Sequence, residues 1–269
     1  MKFERFKKII EYNHEHQNEL AEKVRNFYLQ MNFDYEKEVL NLMRIVKPLF
    51  NEKKYFVMEI PFKDREIGAI CYKSDSFGYT FLNSALPKVK VNFALAHEIY
   101  HVLYQKDLAK KKVDIYISEQ YLEQKEELSA NLFAGILLMP TPSFTEMFRR
   151  FSNEQTVGDS YITIIAKLMS CFEVPYMSVV IRCYELGLLP DGETLQMLLD
   201  TDAKTIEEMF TQLWLNEEIL YPTKRDNYKR LEQIVTDVGM RCVKEEILDD
   251  RTIEKVLKNM KKIYNEIRG

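Results

Sequence analysis

Chain breakers are scarce in this sequence, with eight glycines and eight prolines over 269 residues. Glycine and proline supply the special φ values that tight reversals use. A chain with so few is expected to run in long helices with few loops. Periodicity agrees over most of the length. Phe3, Phe6, Ile10, Leu20, Val24, Phe27 and Met31 fall mostly three or four apart, which predicts a helix over residues 1–31. Asp34 is placed to cap a second, running to about Leu49. The period then changes. YFVMEIP (55–61), IGAICYK (67–73) and GYTFLNS (78–84) are short, β-branched and aromatic, and are expected to form a small antiparallel sheet. Helices return from Val91, over about 91–106, 118–139, 161–172 and 176–186, with another opening at Thr141 as N-cap and Pro142 in the first position. Residues 191–269 read as helical and charged. The fold class is therefore α+β and mostly helical. Pro190 is a plausible division between a first domain, 1–190, and a helical carboxyl-terminal region, 191–269.

Composition narrows what such a fold does. The formal net charge is −4, which gives no global attraction to nucleic acid or to a membrane surface. The amino terminus, MKFERFKKIIEYNHEH, lacks the apolar core of a secretory signal. The longest apolar run, 132–140, is too short to span a bilayer. A cytoplasmic location is expected. Cys71, Cys171, Cys183 and Cys242 show no C-x-x-C spacing and read as isolated reduced thiols.

Residues 97–101 are His-Glu-Ile-Tyr-His. On a helix, positions i and i+4 lie on one face, so His97 and His101 can point at one metal ion. Glu98 is displaced by about 100°, within reach of a water at that ion. The apolar NFALA before the motif suits a buried helix, which holds ligands in fixed rotamers. Catalytic zinc takes three protein ligands and keeps one position open. His14 and His16, two apart, fall on nearly opposite helix faces and cannot chelate together. A downstream carboxylate from KEELSANLFAGILLMP (125–140) is the natural third ligand, with Glu123, Glu126 and Glu127 as candidates. Glu127 is distinguished by Asn131 on the same face one turn deeper. That amide is placed to accept the N–H of a ligand histidine.

Three ordered segments, FLNSALP (81–87), NFALAHEIYH (92–101) and E-x-x-x-N-x-F-A-x-x-L-L-M-P (127–140), together resemble the ImmA/IrrE family of metallopeptidases over about residues 35–190. The resemblance implies a zincin-like, gluzincin-type core with one zinc per chain. His97, His101 and Glu127 would be its ligands, Glu98 the catalytic base and Asn131 the support of a ligand histidine. It also implies a protein substrate, a helix-turn-helix repressor or regulator of a phage or mobile element. The alternative is a non-catalytic zinc-binding regulator that sequesters a transcription factor. Tyr100 stands where the family usually has Gly, and Val91 where a basic residue is common. Tyr100 and Tyr104 are candidates to line the cleft. Residues 161–189 resemble the family's helix–turn–helix stretch. Their net charge with flanking residues from Gln155 is −1, so packing or protein recognition is expected rather than DNA binding. The stretch from Arg251 to Arg268 carries a net +4, which suits either a solvated face or an acidic partner. Residues 191–269 are expected to recognise substrate or mediate assembly.

Overall fold

In the structure, a computed structural model describing residues 1–33, 42, 45–46, 50, 55–73, 78–104, 125–154 and 160–268, the first periodic segment forms one helix, α1 (Phe3–Gln30). Its Phe6, Leu20, Val24 and Phe27 are buried. Most of the helix expected after Asp34 lies outside the described residues, although Leu42, Val46 and Phe50 belong to the core.

Three strands follow: β1 (Tyr55–Ile60), β2 (Ala69–Lys73) and β3 (Gly78–Asn83), in the order β1-β3-β2. β2 and β3 are antiparallel, with Cys71 opposite Thr80. β1 and β3 are parallel, from Tyr55 opposite Gly78 to Ile60 opposite Asn83. The sheet is thus mixed, and the antiparallel expectation fails for β1. Alternation identifies strands but not their neighbours, and here Asn83 helps decide them. Its Oδ1 accepts from the N–H groups of Phe62 and Ala85, while its Nδ2 donates to the carbonyls of Asp64 and Ile67. This clasp holds the 61–68 connection at the end of β3, so that β2 returns along the edge of β3 remote from β1.

Pro87 opens α2 (Lys88–Tyr104), its carbonyl accepting from Lys90 and Val91. After residue 124 come α3 (Lys125–Leu138), α4 (Thr141–Asn153), α5 (Tyr161–Phe172) and α6 (Tyr176–Glu185). Helices α2 and α3 pack closely because Ala96, Ala130 and Ala134 are small and fully buried. Thr141 does not cap α4 with its side chain. Its hydroxyl instead accepts from the buried guanidinium of Arg182 at 2.7 Å. Helices α5 and α6 meet at a bend of 108°, turned by Glu173 in the left-handed region at φ 49°. Their apolar faces are buried through Ile164, Ile165, Leu168, Val179 and Val180. No single helix among the described residues is long and apolar enough to cross a membrane.

The core does not stop at Pro190. Helices α7 (Gly192–Asp200) and α8 (Ala203–Gln212) add Leu195, Leu198, Ile206 and Phe210 to the cluster that contains α2 and α3. A strap then crosses the sheet end. Asn227 and Glu59 exchange two bonds, at 2.8 and 2.9 Å, and Lys224 donates to the carbonyl of Ser84. A hairpin of α9 (Tyr228–Lys244) and α10 (Asp250–Ile267) closes the chain. Tyr228 and Tyr264 stack on each other and join Ile60, Phe62 and Ile67 in a second small core. Lys63 donates to the carbonyl of Ile267 at 2.7 Å.

Candidate metal centre

Helix α2 presents its third and fourth turns to α3, and two side chains of α2 meet one of α3. His97 and His101 bring their Nε2 atoms within 3.0 Å of each other. The Glu127 carboxylate lies 3.1 Å from His97 Nε2 and 3.5 Å from His101 Nε2. The three potential ligand atoms lie within 4.8 Å of one another. Asn131, one turn along α3 from Glu127, holds His97 from behind, with Nδ1 and Oδ1 2.9 Å apart. An amide oxygen only accepts, so Nδ1 donates, and this bond turns the ring so that Nε2 faces Glu127. Burial pushes the Glu127 carboxyl upward, but hydrogen bonds from His101 and His97 outweigh it and hold the group well below the usual carboxylate range. Its position in the first turn of α3 adds the favourable helix dipole.

Glu98 lies beside this group. It is buried, and its Oε2 has no hydrogen-bond partner. An orphaned buried carboxylate oxygen costs on the order of 1–3 kcal/mol or more. Two imidazoles and a carboxylate converging beside such an atom fit a metal ion with an exchangeable water. Two imidazoles and one carboxylate are also a donor set that catalytic zinc sites use.

Residues 51–184 match the model of the Peptidase M78 family, described as an IrrE N-terminal-like domain. Residues 51–184 are a domain of this family. No curated protein matches the chain. The Peptidase M78 domain runs from the sheet through α6 and includes every residue of the candidate centre, which points to a metallopeptidase-like role.

Glu126 is exposed at the start of α3, and Glu123 lies outside the described residues. His14 is exposed, and His16 stacks on Tyr12. Tyr100 and Tyr104 turn toward α1 and Phe133. Both rings lie 5.7 Å from Phe133, and Lys23 stands 5.3 Å from the Tyr100 ring. Tyr104 donates to the carbonyl of Lys23. Tyr100 thus fills an interior space beside the second histidine, where a glycine would leave a void.

Sequence reasoning missed the floor beneath Glu98. Cys71 of β2 faces this carboxylate and hydrogen-bonds Tyr55 of β1, and Thr80 of β3 donates to the Tyr55 hydroxyl at 3.4 Å. Burial, and after it the Glu98 charge, push the Cys71 thiol up, so it stays protonated beside the carboxylate. Read alone, Cys71 is a small apolar filler. Only the strand register brings it opposite Thr80 and under α2.

Proposed function

We propose that the protein is a zinc-dependent endopeptidase that cleaves a specific protein, a helix-turn-helix repressor or regulator of a phage or mobile element. The observation that carries the enzymatic reading is Glu98. A purely structural metal site has no use for a buried carboxylate oxygen without a partner next to the ligands. His97, His101 and Glu127 would hold the ion, and Asn131 would fix the His97 tautomer. Zinc, when bound there, supplies Lewis acidity that polarises a scissile carbonyl and makes a water acidic near neutral pH. Glu98 Oε2 is free to take the proton from that water and return it to the leaving amine. The neutral Cys71 thiol and Tyr55 hydroxyl below Glu98 limit its movement and keep bulk water from that side. The preference for a transcriptional regulator as substrate rests on the family resemblance.

The test is direct. The zinc-loaded chain is incubated with a co-encoded helix-turn-helix regulator, and the products are read by mass spectrometry. One defined cut is expected, absent with Glu98→Gln although that variant keeps its zinc. A regulator that binds but stays whole with the unmodified chain supports the sequestering alternative and overturns the peptidase reading.

A further inference from the structure

A cavity of about 200 Å³ opens among α1, α2, α3 and α6, one helical turn beyond the metal-binding residues. Its wall includes Phe93, one turn before His97, and Asn131, one turn after Glu127, but none of His97, Glu98, His101 or Glu127. It is therefore separate from the candidate metal centre, and Asn131 is the partition between them.

Two observations give the cavity a chemistry. The first is Gly135, in the interior of α3. A glycine there costs a helix about 1 kcal/mol relative to alanine. No neighbour requires it. A Cβ at Gly135 would meet nothing within 4 Å, and its φ is not positive. What the missing side chain does is leave the cavity open above α3, between apolar walls such as Ile9, Leu132 and Ile181.

The second is the balance of charge. At one end Arg182 and Glu185 are buried and matched. Arg182 donates to Glu185 at 3.1 Å and to the Met139 carbonyl at 3.2 Å, and Asn13 donates to the other Glu185 oxygen at 2.5 Å. Arg5 also lines the cavity, and among the described residues its guanidinium has no ion pair or hydrogen bond. The lining thus carries an unmatched guanidinium at an apolar hollow, while the Met1 amino group, also at the wall, donates to the Leu199 carbonyl at 3.3 Å. An apolar cavity of about 150 Å³ holds a benzene ring, so this one has room for a ring or a short branched chain.

The geometry points to a binding site for a small amphipathic carboxylate, its apolar body over Gly135 and its carboxylate paired with Arg5. A guanidinium suits a carboxylate through two parallel N–H bonds. Mostly apolar walls with a few placed polar groups are the usual make-up of a small-molecule site.

The probes are 3-phenylpropionate and its neutral amide, titrated into the full chain and followed by calorimetry and ligand-observed NMR. The carboxylate is expected to bind about tenfold more tightly than the amide, the value of one charge-assisted contact. Arg5→Gln should erase that preference and leave amide binding unchanged. Gly135→Leu should weaken both probes at least about tenfold by filling the hollow, with its helical circular dichroism retained. If Gly135→Leu does not fold, the Arg5→Gln comparison still decides. Failure of both probes to bind, or a preference that persists in Arg5→Gln, overturns the proposal. So does binding that survives Gly135→Leu but vanishes in His101→Ala, which would put the carboxylate on the metal centre.

Discussion

Glu127 gains from three sources, the α3 amino terminus and two imidazoles, while Glu126 next to it faces solvent. Glu127→Ala is therefore expected to abolish both tight zinc binding and cleavage, and Glu126→Ala to change neither, as measured by metal analysis and a cleavage assay. Asn131→Ala releases the His97 ring and should weaken zinc by roughly ten- to a hundredfold while leaving some activity, read by competition with a chelating dye. At this scale the candidate centre was largely legible. Histidine spacing on a helix is set by local geometry, and Asn131 marks the right face of α3 without knowledge of the fold. Cys71 and Tyr55 were not legible. Their contact with each other crosses from β2 over β3 to β1, and a slip of one residue in either register would turn one of them to the other face.

Among the elements, the α9–α10 hairpin depends on one small residue. A Cβ on Gly239 would lie 2.9 Å from Ile253 Cδ1 and 3.0 Å from its Cγ2. Gly239→Leu is expected to push the helices apart and cost about 1–3 kcal/mol, seen as a lower midpoint in chemical unfolding. Tyr264 ties the same hairpin to the strap through its hydrogen bond to Asp226. Burial, together with that bond and the Asp226 charge, pushes the Tyr264 hydroxyl up to about 12 from an ordinary 10.0. A raised acid favours the folded form while it is protonated. Its contribution is complete below pH 10 and is lost as pH rises through 12. The unfolding midpoint should fall across that window, and Tyr264→Phe should lower it at neutral pH while flattening this part of the fall. The sequence marks this region as helical and charged but does not divide it into elements. The parallel pairing of β1 with β3 was not legible, because it is fixed by the Asn83 side chain and by contacts far along the chain.

For the whole molecule, the segment after Pro190 supplies part of the main core and part of the sheet's hydrogen bonding. Leu198 and Phe210 are fully buried in the cluster that holds α2 and α3. A fragment ending at Pro190 is therefore expected to lose its cooperative melting transition in circular dichroism, and a sharp native-like transition in that fragment would contradict this. Substrate recognition by residues 191–269, proposed from their position outside the motifs, is better examined by surface substitutions that leave this packing intact. A charge and helix pattern cannot reveal such packing, since an amphipathic helix looks alike whether its partner is near or distant in sequence. The pairing of Phe62 with Arg268, and of Lys63 with Ile267, also sets an order of events. Helices α2 and α3 can meet soon after synthesis, but the sheet end cannot be sealed until residue 268 has left the ribosome. A nascent chain would hold its histidines and Glu127 together before that seal forms, so the newborn protein should acquire metal earlier than it acquires full resistance to degradation.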